Sequence, residues 1–357
     1  GYVFTKTPSL AKSDLYKTSG HWDHYKDGMF VLGDEEKDDE VFALRPMTCP
    51  FQYKIYNSEQ HSYRDLPIRY AETSSLFRKE ASGEMHGLIR VRQFTLSDGH
   101  IICRPDQVEE EFKGCVELIS HIMKTLGIAD DITFRFSKWD ASNTEKYINN
   151  PEAWEKTQTL MKGILDSLDM NYVAADGEAA FYGPKLDIQF KNVHGKEDTI
   201  ITIQIDFALA ERFDMYYIDS DGTKKRPYII HRSAIGCYER TLAMLIEKFA
   251  GSFPTWLSPN QAIVLPISDK FNDYANEVAD ELRSVGVRVN TDFRSEKIGY
   301  KIREARLERY PYILVVGEKE VTNREVNVRS RKNGEEGAVA LPELKNRIAL
   351  EILNKEN

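Results

Sequence analysis

Strand-like apolar runs follow one another along residues 1–257. Strands are predicted at about 74–80, 88–96, 100–104, 132–137, 186–190 and 199–207, several with no helix between them. Helices sit between the groups, which points to an α+β unit on an antiparallel sheet. Near 228–249 a strand enters a helix whose apolar positions include Leu242, Leu245, Ile246 and Phe249. The pattern changes after Phe253-Pro-Thr-Trp-Leu-Ser-Pro259, where two prolines and a serine interrupt the chain. A fresh strand, Ala262–Ile267, opens an alternating stretch. A helix at about 271–285, a strand at about 287–291 and a helix at about 299–309 follow. Strands Tyr312–Val316 and Val326–Arg331 and a helix from Leu341 complete a βαβαββα pattern, a small α/β domain. The expected division is therefore 1–257 and 258–357.

Composition narrows the function classes. With 357 residues, two domains are the prior. At 41% hydrophobic and 29% charged, global disorder is excluded. No apolar run reaches the ~20 residues of a membrane helix, and the first residues lack a signal-peptide pattern. Cys49, Cys103, Cys115 and Cys237 have no tight spacing, which favours a reduced, cytoplasmic protein. The chain opens without a methionine, inside strand-like sequence, and reads as a piece of something longer. The acidic run Asp34–Glu40 reads as a solvated loop. Net charge is −9, which argues against indiscriminate nucleic-acid binding but leaves local basic patches open.

Two segments carry chemistry. In the first, Ser75–Glu80 and Leu88–Thr95 flank a glycine-containing loop, so an antiparallel pair is expected. Period two puts Arg78 and Glu80 on one face, and Arg90, Arg92 and Phe94 on one face of the partner. Guanidinium forks match phosphate oxygens and a ring can stack on a base, so a nucleotide suits this face. A solvated face of cross-strand ion pairs is the competing reading. In the second segment, Gly236 permits close approach and Arg240 lies early in a helix, where anions are favoured.

Taken together, these segments resemble the class II aminoacyl-tRNA synthetases. Phe77-Arg78-Lys79-Glu80 with Arg90 and Phe94 is similar to their motif 2, and Gly236-Cys-Tyr-Glu-Arg240 to motif 3. Tyr2–Pro8 is similar to the end of motif 1, which implies a homodimer through the region around Pro8. Gly20–Tyr25, Arg45–Pro50, Ala180–Lys185 and Gln204–Phe207 resemble the threonyl branch of that class, over essentially the whole chain. The resemblance implies a substrate set of L-threonine, ATP with Mg²⁺, and tRNA(Thr). It implies that Arg78 holds the threonine carboxylate and α-phosphate, and that Arg90 meets the β- and γ-phosphates. Glu80 then contacts the adenine amino group, Phe94 and Arg240 cover the two faces of adenine, Arg240 also reaches the γ-phosphate, and Gln204 belongs to the ATP site as well. Cys49, His100 and His231 match the family's Zn²⁺ ligands. Three protein ligands leave an open position, as in catalytic zinc sites. Threonine ligating there through its amine and hydroxyl is distinguished from valine. Cys49 precedes Pro50 at a predicted helix start, where a thiol's pKa is expected to fall. Asp98 would accept from the threonine hydroxyl and Tyr182 would bind its amino group, with Met47 and Gln204 lining the pocket. For Asp98, a turn at Ser97-Asp98-Gly99 is the alternative. Leu96, Thr199 and Cys237 depart from the family pattern, and His21 and His24 are read as packing residues.

Residues 258–357 resemble the anticodon-binding domain of the same class, with Asp292–Glu304 carrying the signature and Ser295 departing from it. Anticodon contacts are expected at Lys297, Arg309, Glu320 and Arg329. The stretch from Arg294 to Arg309 is basic through Arg294, Lys297, Lys301, Arg303, Arg306 and Arg309, which by itself reads as a solvated basic helix face and, with the resemblance, suits a single-stranded RNA loop. A non-catalytic paralogue would be expected to lose the motif arginines, and a prolyl enzyme the Cys-His-His set. Both are present.

Overall fold

Eight strands of the computed structural model, which describes residues 1–357, make one sheet. In chain order they are β1 (Val3–Phe4), β2 (Ile68–Phe77), β3 (Gln93–Cys103), β4 (Ile132–Ser137), β5 (Tyr172–Ala175), β6 (Lys185–Lys191), β7 (Glu197–Asp206) and β8 (Tyr228–Cys237). Their spatial order is β1-β2-β3-β8-β7-β6-β4-β5. The run from β2 to β4 is antiparallel throughout, and only the edge pairs β1/β2 and β4/β5 are parallel. The α+β expectation with an antiparallel sheet therefore holds. Leu186–Phe190 and most of β8 are buried, because both faces of the sheet are covered there. Helix α1 (Cys49–Tyr56) contributes Tyr53 and Tyr56 to a cluster with Ile102, Leu209 and Ile229. In α2 (Val108–Thr125), Val108, Phe112, Cys115, Ile119 and Met123 form one buried face. Helix α3 (Pro151–Ser167) buries Trp154, which stacks on Trp139. β8 leads into α4 (Tyr238–Phe249).

The strands predicted at 88–96 and 100–104 are one strand, β3, starting only at Gln93. Residues before it turn, with Gly87 at φ 48° and His86 bridging Arg90. Backbone pairing continues one step beyond β2 through Arg78 N to Arg92 O at 2.8 Å, so the arginines sit at the mouth of a wide hairpin. Asp98 lies mid-strand opposite Glu72 and Ser233, not in a turn.

The chain divides into two units, Gly1–Met244 and Leu245–Asn357. The second has its own sheet of β9 (Ala262–Pro266), β10 (Val289–Thr291), β11 (Tyr312–Val316), β12 (Glu325–Ser330) and β13 (Gly334–Ala340), in the order β10-β9-β11-β12-β13. Its helices are α5 (Asn272–Arg283), α6 (Ile298–Leu307), α7 (Glu318–Asn323) and α8 (Leu341–Leu353). Val264 and Leu314 pack with residues of α5 and α8, while Ile263, Leu265 and Ile313 pack with Ala305 of α6. Alternate residues of each strand thus serve two apolar layers. The pattern missed β13, a mostly exposed strand, and α7, which is too short to show a period. No helix is long and apolar enough to cross a membrane.

Gly236 has φ 74°, and a Cβ there would stand 2.1 Å from the Ile200 carbonyl oxygen. Gly163, exposed in α3, has open space. Gly236→Ala should cost at least about 2 kcal/mol in chemical denaturation. Gly163→Ala should add about 0.5–1 kcal/mol.

Candidate active site and metal centre

Strand register brings distant residues together. His231 of β8 is the cross-strand partner of His100 on β3, and Gln204 of β7 pairs with His231 on its other side. The two imidazoles lie 4.7 Å apart, edge to face. Cys49, the first residue of α1, brings its sulfur to this pair, and the three ligand atoms lie within 4.8 Å of one another. All three residues are buried. A soft thiolate and two imidazoles gathered this closely could hold a metal ion, and the donor set suits zinc-like borderline ions.

The partners behind the ligands also fit a metal. His100 donates from Nδ1 to Gln52 Oε1 at 2.6 Å, leaving Nε2 with its lone pair. His231 meets Asp206 through Nε2 at 3.0 Å, leaving Nδ1. Asp206 is itself fixed by the backbone N–H groups of Ala208 and Leu209. Sequence reasoning missed Gln52 and Asp206. Only the i, i+3 spacing of Cys49 and Gln52 on one helix hinted that both face the same way. Burial, with Asp98 and Asp206 nearby, pushes the Cys49 thiol well above a free thiol's range. The expected lowering at a helix start is therefore overturned, because desolvation outweighs the helix end here. Burial likewise holds His100 neutral, with His231 and Arg232 adding to the effect.

The metal-type group forms one end of a cleft of about 840 Å³. Met47, Arg78, Glu80, Arg90, Phe94, Asp98, Tyr182, Gln204 and Arg240 all line the same cleft. On β3, Phe94, Leu96, Asp98 and His100 point into it at period two. The Arg78 guanidinium lies 5.2 Å from the centre of the Phe94 ring. Arg240 donates to the carbonyls of Ile89 at 3.0 Å and Thr199 at 2.7 Å. Burial lowers its pKa, and Arg78 and Arg90 nearby lower it further, so this wall is strongly electropositive. Arg90 pairs with Glu80 at 3.0 Å. Arg92, expected on the same face, is exposed and turned to the Glu80 carbonyl. Tyr182 donates to Gln204 at 2.5 Å and stacks on His231. Asp98 is largely buried, which raises its pKa against the pull of Thr48, His231 and Arg232. Leu96, Thr199 and Cys237 line the cleft too, and Thr199 accepts from Gln189 at 2.7 Å. His21 and His24, assigned to packing from sequence, are part of the wall.

In the second unit, Lys297 precedes α6 and Arg309 follows it in a left-handed conformation, both exposed. Glu320 accepts from Gly317 N at 2.9 Å, and Arg329 pairs with Glu335 at 2.5 Å. The basic patch is smaller than the sequence suggested. Lys301 is buried, donating to the Asp292 carbonyl at 3.0 Å, and Arg294 is held between Asp292 and Glu304.

An arginine-lined cleft on an antiparallel sheet, in a chain that also carries a separate α/β unit, is the architecture of a class II tRNA synthetase. The tRNA synthetase class II core domain (G, H, P, S and T) matches residues 30–249, and the anticodon binding domain matches residues 261–350. Within that class, the chain belongs to the threonyl-tRNA synthetase family. It is 78% identical to a threonine–tRNA ligase of Clostridium perfringens over all of this chain and 56% of the relative. It is 50% identical to one of Anoxybacillus flavithermus over 96% of this chain and 53% of the relative. The crystal structure of the RNA binding domain of threonyl-tRNA synthetase from Cryptosporidium parvum superposes with a TM-score of 0.90 at 35% identity, covering 98% of this chain and 86% of that one. The chain spans about half the length of the curated relatives it matches.

Burial lowers the pKa of His21 from 6.5 to about 3. Between these values the unfolded chain binds a proton that the folded one does not, so this group's contribution to stability falls as pH drops. The slope is about 1.4 kcal/mol per pH unit. Urea denaturation at pH 6.5 and pH 5 should show a smaller acid loss in His21→Gln than in the parent.

Proposed function

We propose that the protein activates L-threonine with ATP and transfers the threonyl group to tRNA(Thr). The observation that carries this reading is one cleft in which three guanidiniums and Phe94 face a buried Cys-His-His group, in a chain of the threonyl family. A threonine carboxylate oxygen attacks the α-phosphorus of ATP and pyrophosphate leaves, giving threonyl-adenylate. A terminal ribose hydroxyl of the tRNA then attacks the acyl carbon, and AMP leaves. Neither step needs a protein nucleophile. Arg78 and Arg240, already fixed by neighbouring rings and carbonyls, meet the developing phosphoryl charge without reorganising. Arg90 and the Mg²⁺ that accompanies ATP neutralise the outer phosphates. Phe94 offers the adenine a stacking face and Glu80 a carboxylate acceptor for its amino group.

Cys49, His100 and His231 would hold Zn²⁺. Bound there, zinc supplies Lewis-acid positions for an amine and a hydroxyl, which threonine has and valine lacks. Asp98 accepts from the threonine hydroxyl, Tyr182 and Gln204 orient the amino end, and Met47 closes the apolar side. Residues 258–357 read the anticodon through Lys297, Arg309, Glu320 and Arg329. Val3 and Phe4, 59% and 79% exposed beside Pro8, favour a homodimer through this edge. The working compartment is the cytoplasm.

Threonine-dependent ATP–pyrophosphate exchange checks the reading. Zinc-loaded protein should exchange with threonine and barely with valine, and Arg78→Ala should lose about 10²-fold or more. Arg309→Ala should weaken tRNA binding and leave exchange intact. Exchange that is absent, or that valine supports equally, would overturn the assignment.

A further inference from the structure

A chain of buried polar groups leads from His100 out to the edge of the sheet. Gln52 is wholly buried, and both ends of its amide are engaged. Its Oε1 accepts from His100 Nδ1 at 2.6 Å, and its Nε2 donates to Thr5 Oγ1 at 2.8 Å. Thr5 Oγ1 donates to Glu72 Oε2 at 3.2 Å. Glu72 is buried and paired with the equally buried Arg45 at 2.9 Å.

The direction of every bond follows from the far end. A carboxylate paired with a guanidinium is an acceptor only. The Thr5 hydroxyl spends its single proton on one of two acceptors, Glu72 Oε2 at 3.2 Å or the Ala71 carbonyl at 3.4 Å, and so can only accept from Gln52. That fixes the Gln52 amide with its NH₂ toward Thr5 and its oxygen toward His100. An oxygen at that point requires the proton of His100 on Nδ1, which leaves the Nε2 lone pair free. Were the amide reversed, its NH₂ would face Nδ1, and the neutral ring would carry its proton on Nε2, where it blocks ligation.

We propose that Gln52 and Thr5 are positioning residues that set the His100 tautomer, with the acceptors that face the Thr5 hydroxyl, the Arg45-paired Glu72 carboxylate and the Ala71 carbonyl, as the origin of the polarity. This rests on the reading that Cys49, His100 and His231 hold zinc. It goes beyond that reading by making metal affinity depend on Thr5, next to edge strand β1 and remote in sequence from every ligand. Thr5 is also tied by backbone to Ala71 of β2, at 2.9 Å, so whatever orders β1 orders the relay.

The test uses the full chain with Zn²⁺ against a competing chelator, with thermal unfolding to establish that each variant folds. Thr5→Val and Gln52→Leu should weaken zinc by about 10-fold or more, the size of effect usual for groups behind a ligand. Thr5→Ser, which keeps the hydroxyl, should stay within about 3-fold of the parent. In metal-free protein, ¹⁵N imidazole spectra should show His100 as the Nδ1–H tautomer, and a mixture in Thr5→Val. A folded Thr5→Val protein with parental zinc affinity and a single tautomer would overturn the relay alone, provided Cys49→Ser loses the metal. A parent protein that binds no zinc would overturn the metal reading and the relay with it.

Discussion

The antiparallel register between β3 and β8 is the constraint on which the site depends. It sets His100 opposite His231 and Asp98 opposite Ser233. A slip by one residue would turn each of these side chains to the other face of the sheet. Behind this face, Gly99 leaves room for the Arg232 guanidinium, whose carbon would lie 2.7 Å from a Cβ there. Arg232 in turn packs on the Tyr2 ring, 4.2 Å from its centre. The metal-type face and the opposite face of these strands are thus locked by the same pairings.

Two different electrostatic problems are solved at the two ends of the cleft. At one end, the buried ligands are backed by an amide and a carboxylate, which orient their lone pairs. At the other, Arg78, Arg90 and Arg240 crowd together with their positive charge only partly offset by Glu80. Such an end is costly without an anion and favourable with one, which is what a polyphosphate provides. Asp98 lies between, a buried carboxylate with a raised pKa beside the metal-type group. The polarity of the cleft therefore runs from cation-seeking to anion-seeking along its length, the arrangement that the proposed threonine and ATP require.

Much of this was legible from the sequence. β4 and β11 fall at Ile132–Ser137 and Tyr312–Val316, where apolar runs are bounded by turn residues and leave little choice. The residues expected around the nucleotide and threonine converge because short motifs carry strand alternation with them. What was hidden depends on tertiary context. Residues 88–92 looked like strand because apolar and basic residues alternate there, yet they belong to the turn and the strand starts only at Gln93. Lys301 counted as surface charge although its amino group is consumed by a backbone carbonyl in the interior. The thiol at Cys49 was expected to be acidified by the helix end, and burial reversed the sign. Asp206 gave no signal and Gln52 only its i, i+3 spacing from Cys49, since their significance lies in which atom of another side chain they touch.

Cys49, His100 and His231 are proposed to hold one zinc ion whose remaining positions take threonine. X-ray absorption at the zinc edge, on loaded protein with and without threonine, reads this directly. The account predicts one sulfur at about 2.3 Å and two imidazole nitrogens at about 2.0–2.1 Å, with nitrogen and oxygen from threonine joining the shell. A shell with no sulfur, or one that threonine leaves unchanged, would contradict it.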